Sequence, residues 1–255
     1  MKIVGCMQVG GDCSWILNSS LNNLSKMVDE IVLVGGDVSQ ESKKIIDACD
    51  RVVDTNFYSD NKSRIEWNDM NSLLRMAQKQ DADWILFMDA DETFEPRFAH
   101  AIREHINDSS VGMYKFHRYW LWKSTDYYRS DRPEKFSTFA YNSYLVRSVQ
   151  SLYFPNPGGP FWKRLLRHFQ GKEKLRPYFG REPIHGVIGK TIESEIILLH
   201  HAALNWEQFV KNQMWYAALI AKRQPKSSVL DIVNQLYSIL DVSTLELSPV
   251  DKEWL

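Results

Sequence analysis

Three carboxylates close an apolar run at 84–92, WILFMDADE. The run has no polar alternation and reads as a strand covered on both faces. Asp89, Asp91 and Glu92 sit at its end, and open α/β sheets bind ligands beyond the carboxyl ends of their strands. Carboxylate oxygens suit Mg²⁺ or Mn²⁺, ions whose coordination is completed by substrate phosphates. Acids this close repel one another unless a cation or hydrogen bonds relieve them. The expected chemistry is therefore a divalent ion on Asp89 and Asp91, holding a phosphorylated ligand. The bland alternative is a helix N-terminus carrying acids that suit its dipole. Asp81 and Asp83 repeat the D-x-D spelling before the strand. There it reads as a solvated loop, so position and not spelling separates the two copies.

The elements that must position these residues follow from hydrophobic periodicity. Segments 2–7 (KIVGCM), 31–34 (IVLV), 51–53 and 84–88 read as strands. Helices are expected over 14–28, 41–49, 65–79 and from Thr93 to 106, with Ser14 and Thr93 as caps. This alternation predicts a doubly wound, mostly parallel sheet flanked by helices. The second half differs. Aromatics crowd 114–128, including Trp120 and Trp122, a strand region covers 136–146, and 155–160 (PNPGGP) is a loop. A basic, aromatic stretch follows at 161–181; short strands are expected at 184–188 and 195–199, and helices at 205–223 and 229–240. No linker interrupts the chain, so one domain over 1–255 is expected.

The 255 residues carry 31 Lys and Arg against 32 Asp and Glu, a net charge of −1. Such balance argues against a dedicated nucleic-acid binder. Cys6, Cys13 and Cys49 show no C-x-x-C spacing and fit reduced thiols. No apolar run reaches the ~20 residues of a membrane helix, and the opening MKIVGCMQVGGD is a poor signal peptide. A cytoplasmic protein is expected. The basic stretch is compatible with a cover over a diphosphate, a patch for anionic lipid at a membrane surface, or a solvated loop.

Segments 28–34 (VDEIVLV), 71–77 (NSLLRMA) and above all 83–92 (DWILFMDADE) resemble family 2 glycosyltransferases of the GT-A nucleotide-sugar fold. The resemblance covers roughly the first two fifths of the chain. It implies a GT-A-like sheet with a smaller mixed region on the acceptor side, residues 1–110 being the nucleotide-sugar half and 111–255 the acceptor-side half, with loop 155–181 and the C-terminal helices. It implies Mn²⁺ or Mg²⁺ on Asp91, with help from Asp89, bound to the diphosphate of a nucleotide-sugar donor. It further implies transfer with inversion to a hydroxyl acceptor, on a glycan, a lipid-linked molecule or another alcohol. The chain departs from the family at Gly11-Asp12, where Asn-Glu is usual, at 35–41 (GGDVSQE), where D-x-S-x-D is usual, and at Gly186, where Glu commonly follows His.

Further candidates are read beside that resemblance. Asp12 and Asp37 follow the first and second strands, as donor contacts or as turn caps. His200, then His201, ends a late short strand and can ligate the ion or touch the diphosphate. A ligating imidazole must be neutral, so affinity for the ion should fall as pH drops through about 6.5. His185 is a candidate substrate contact, and Trp122 a stacking surface on the acceptor side. Inverting transfer needs a carboxylate to take the acceptor proton. Asp131 and Glu182 are the candidates; the alternative for each is an ion pair with Arg129, Arg132 or Arg181. The rival readings are a metal-dependent nucleotidyltransferase or phosphohydrolase, and a glycan-binding or scaffold protein that kept the fold without turnover. Weak against the first is the absence of a Gly-rich phosphate loop with Lys.

Overall fold

The computed structural model describes residues 1–59, 66–131, 143–155, 184–223 and 245–255, with positions 228, 230 and 242. Three βα steps and a fourth strand build its first half. Strand β1 (Ile3–Gly10) leads to α1 (Ser14–Ser25), β2 (Glu30–Gly36) to α2 (Gln40–Asp47), β3 (Val52–Tyr58) to α3 (Glu66–Lys79), and β4 (Trp84–Asp89) follows. β1 and β4 are buried along almost their whole length, as unbroken apolar runs in a doubly covered sheet should be. Helix α1 turns Leu17, Leu21 and Leu24 inward, and α3 turns Met70, Leu73, Leu74 and Ala77. These helices cover opposite faces, because their inward residues join different core clusters.

The eight-stranded sheet has the order β3-β2-β1-β4-β8-β6-β9-β5, with β5 (Glu92–Phe94), β6 (Val111–Trp120), β8 (Tyr144–Arg147) and β9 (Lys190–His200). β1 to β4 are mutually parallel. β8 is antiparallel to β4 and to β6, and β9 is parallel to β6. Six strands therefore share one direction and only β8 and β5 oppose it, in agreement with the mostly parallel α/β sheet expected. The carboxyl ends of β1, β2, β3, β4, β6 and β9 consequently open on a single edge.

Two residues, Ala90 and Asp91, separate β4 from β5, although β8, β6 and β9 stand between them in the sheet. The sheet must curl to bring β5 over the end of β4. A bulge supplies the bend: the β6–β9 register shifts between Phe116 and His117, and bulges bend strands and increase twist. Buried Glu95 caps the irregularity, accepting from Ile197 N at 2.7 Å while its own N–H donates to Ile197 O. The outer edge of β5 is closed by Asn23 of α1, whose amide both donates to Phe94 O and accepts from Phe94 N, each at 2.8 Å.

Several local expectations are corrected. Thr93 does not cap a helix; it lies in β5, and α4 (Phe98–His105) starts later. The side chain of Ser14 does not cap α1. Asp12 instead accepts from Ser14 N at 3.1 Å, because a carboxylate two residues upstream reaches the free N–H groups of the first turn. The third strand is seven residues long, and β9 starts five residues earlier than the run 195–199 suggests. In place of a strand at 184–188 there is a single bridge between Tyr153 and His185. Helix α5 (Trp206–Arg223) follows a short 3₁₀ turn, and Asn205 Oδ1 accepts from Gln208 N at 3.1 Å at its start. A small antiparallel pair, β7 (Tyr127–Arg129) with β10 (Leu247–Pro249), joins the C-terminal segment to the aromatic stretch. The basic stretch 161–181 and the helix at 229–240 lie outside the described residues, position 230 aside. No described helix is long and apolar enough to cross a membrane.

Candidate functional site

The carboxyl edge collects the residues read as chemical from the sequence. β4 delivers Asp89, and the two-residue link holds Asp91 between β4 and the end of β9. His200 Nε2 stands 3.3 Å from Asp91 Oδ2. The His201 N–H donates to Asp91 O at 2.8 Å, so backbone and side chain both tie the link to β9. His200 does not arrive on a strand beside β4; β5 folds back and pairs Glu92 with His200, which carries Asp91 to it. The Asp91 side chain is 32% exposed and that of His200 9%. Burial pushes the Asp91 carboxyl up, but His200 and then Arg118 outweigh it and bring the value down to about 2. Asp91 is thus an anion under all ordinary conditions. His200 Nδ1 is buried and has no hydrogen-bond partner among the described residues.

Around this pair stand Glu92 and His201, both visible in the sequence, with Arg118, Gln8 and Asp69, which sequence reading missed. Glu92 is fully buried. Its Oε2 accepts from Asp89 N at 2.9 Å and from Ser143 Oγ at 2.8 Å, and its Oε1 from Arg118 Nη1 at 3.3 Å. Burial raises its carboxyl, and the Asp89 charge adds to that. Arg118 lies over the Trp120 ring at 5.3 Å, and Trp120 packs on His200 with ring centroids 4.4 Å apart. His201 Nε2 meets Thr93 Oγ1 at 2.8 Å. Burial, then the neighbouring His200, lowers the His201 value to about 4. Next to β4, Gln8 of β1 is in register with Asp89. Buried Asp69, on α3, accepts from Tyr58 Oη at 2.8 Å and from Gln8 Nε2 at 3.4 Å. The available signals were polar residues interrupting apolar strands, Gln8 in β1 and Arg118 in β6.

The other expected residues are distributed as follows. Asp12 accepts from Ser14 N, Ser14 Oγ and Ser39 Oγ, which pins the loop after β1 to the start of α2. These bonds lower its carboxyl, Ser14 first. The thiol of Cys13, in the same loop, is pushed up by burial, with a further rise from the charge of Asp91. Asp37 is exposed in a left-handed turn, φ 49°, after β2. Asp83 belongs to the opposite edge, where its carboxylate accepts from Lys2 N at 2.7 Å.

Asp131 is held by Arg129 as a fork: Nε to Oδ1 at 3.0 Å and Nη2 to Oδ2 at 2.6 Å. Trp122 is corrected as an open stacking surface. It is 5% exposed, with Arg129 over its ring at 4.6 Å and Trp206 and Phe209 against its sides. Bulk and burial make it a support of the fork. His185 packs against Tyr153 with the rings tilted by 57° and shares a backbone pairing with it. Gly186 after it has φ 82°, and a Cβ there would stand 1.8 Å from Ser151 O. The chain path thus forbids the side chain the resemblance leads one to seek at 186. Glu182 lies outside the described residues.

Among the described residues, no three His, Cys, Asp or Glu side chains are already arrayed to hold a metal. A carboxylate and an imidazole 3.3 Å apart are nevertheless close to the roughly 3.0 Å that separates adjacent ligands at 2.1 Å on an octahedral ion. Such ions commonly take one or two protein ligands and complete their shell with water and phosphate, so the pair suits one.

No protein-family model matches the chain, and no curated protein matches it. Solved structures of S. aureus TarS are similar to it in three dimensions. The 1–349 fragment aligns over 94% of this chain and 71% of its own, with 13% identity and a TM-score of 0.49. In complex with UDP that fragment aligns over the same shares at 11% identity and 0.49. In complex with UDP-GlcNAc the values are 94% and 72% coverage, 13% identity and 0.48.

Proposed function

We propose that this chain is a glycosyltransferase that moves a sugar from a nucleotide-diphosphate donor to a hydroxyl acceptor with the aid of Mn²⁺ or Mg²⁺. The observation that carries the reading is the Asp91–His200 pair, seated where the carboxyl ends of β4 and β9 meet. Asp91 and His200, with Asp89, would hold the ion, whose charge offsets the negative charge that grows on the departing diphosphate. The imidazole tips the preference toward Mn²⁺, since Mg²⁺ is served by oxygen alone. The loops after β1 and β2, with Asp12 and Asp37, border the donor nucleotide.

In the transfer, the anomeric carbon–oxygen bond to the diphosphate breaks and a bond to the acceptor oxygen forms, with inversion. The acceptor proton passes to a carboxylate, for which Asp131 and Glu182 are the proposed groups. The Arg129 fork occupies both Asp131 oxygens, which suits a positioned carboxylate and favours Glu182 as the base. The same fork supports a second reading, a donor-binding protein without turnover.

One screen separates these. The protein is incubated with Mn²⁺ and a panel of nucleotide sugars, and both donor binding and released nucleotide are measured. Binding with release supports the enzyme; binding without release from any donor, with acceptors supplied, supports the second reading; no binding defeats both. If Glu182 is the base, Glu182→Gln keeps donor affinity and loses turnover by at least about 100-fold, whereas unchanged turnover removes it from the mechanism.

A further inference from the structure

The three acids of the Asp89–Glu92 turn do not share one fate. Asp91 is partly exposed and meets His200, whereas Glu92 is fully buried and bonded to Arg118 and Ser143. Its carboxylate gathers groups from three further strands or their ends: the Asp89 N–H that closes β4, the Ser143 hydroxyl that precedes β8, and the Arg118 guanidinium of β6. The chain of contacts closes on itself. Arg118 covers Trp120, Trp120 packs on His200, and His200 meets Asp91. The turn is thus gripped at Asp89 by Glu92 and at Asp91 by His200 and the His201 N–H.

We infer that Glu92 is a positioning residue for divalent-cation binding: neutralised by Arg118, it sets the Asp89–Asp91 turn in the geometry that receives the ion, without ligating it. The inference rests on the metal reading proposed above. It also resolves the charge problem of the sequence. Asp89 and Asp91 present two negative charges to a doubly charged ion, while the third acid is spent in a buried ion pair and adds no repulsion toward a diphosphate. Buried groups that orient ligands in this way shape affinity as strongly as many ligands do.

The test is Mn²⁺ alone, titrated into the full chain and followed by the paramagnetic signal of the free ion, beside a thermal melt. Glu92→Gln keeps the size and one acceptor but loses the charge, and should weaken Mn²⁺ binding about 10- to 100-fold. Ser143→Ala, which removes one bond to Glu92 and leaves the charge, should weaken it in the same direction by less. It serves alone if Glu92→Gln does not fold. Ile102→Ala, a buried change in α4, should lower the melting temperature and leave Mn²⁺ affinity unchanged. Wild-type affinity in Glu92→Gln, or in Ser143→Ala where only that variant folds, overturns the inference. So does a loss in Ile102→Ala as large as in Glu92→Gln, which would make the effect one of general stability. If the wild-type chain binds no Mn²⁺, the metal reading itself fails and the inference falls with it.

Discussion

Asp91 and Asp83 make the sharpest pair of residues to compare, because both belong to a D-x-D spelling and only one stands at the carboxyl edge. Asp91→Ala should abolish divalent-dependent binding of a nucleotide sugar. Asp83→Ala should leave it nearly intact and change stability by no more than ~0.5 kcal/mol, its carboxylate being exposed beside Lys2. Equal losses in a binding titration would contradict the positional argument. His201 gives a pH signature. Its folded value of about 4 lies below the 6.5 of an ordinary imidazole. As pH falls from about 6.5 to about 4, the unfolded chain binds a proton that the folded chain refuses, so stability must drop across that window. His201→Asn should flatten the slope of urea midpoint against pH between those limits; an unchanged slope would assign the loss to other groups. The D-x-D could be read because its spelling coincides with the end of an apolar run. The Glu92–Arg118–Ser143 contacts could not, since they join residues 26 and 51 positions apart and no local pattern encodes such a meeting.

At the scale of elements, local periodicity carried the first half well. Each βα step there is set by its own hydrophobic face, and helix and strand limits fall within about three residues of those expected, except that β3 runs on to Tyr58 and α4 begins only at Phe98. It failed where tertiary pairing overrides propensity. Segment 92–94, with Thr93 as an apparent cap, becomes a strand because the curled sheet offers it β9 on one side and Asn23 on the other. The stretch 184–188 fails to form a strand for a similar reason: Gly186 turns with a positive φ against Ser151. This has a consequence for the departure from the family pattern. Gly186→Glu should not supply a base. It should destabilise the chain by about 1–3 kcal/mol from the backbone conformation alone, and by more through the clash, as read from chemical denaturation. A folded variant of unchanged stability would contradict the backbone account of Gly186.

At the scale of the whole molecule, function follows from a common direction. Six strand ends open on one edge because β8 alone reverses between β4 and β6, and the curl then lays β5 and β9 across the end of β4. The aromatic stretch supports this from one side. Trp122, Trp206 and Phe209 pack behind Arg129, while Val250 and Trp254 of the C-terminal segment join Leu121, Leu199, Tyr119 and Tyr128 in a second small cluster. Everything proposed for this edge depends on a divalent ion between Asp91 and His200 that holds a donor diphosphate. Its presence there is tested most directly by anomalous diffraction from crystals of the protein soaked with Mn²⁺ and a mixture of nucleoside diphosphates. A manganese peak is expected about 2.1 Å from an Asp91 carboxylate oxygen and from a His200 ring nitrogen, with diphosphate oxygens completing its shell. A peak elsewhere, or a bound nucleotide whose phosphates avoid Asp91 and His200, would contradict it.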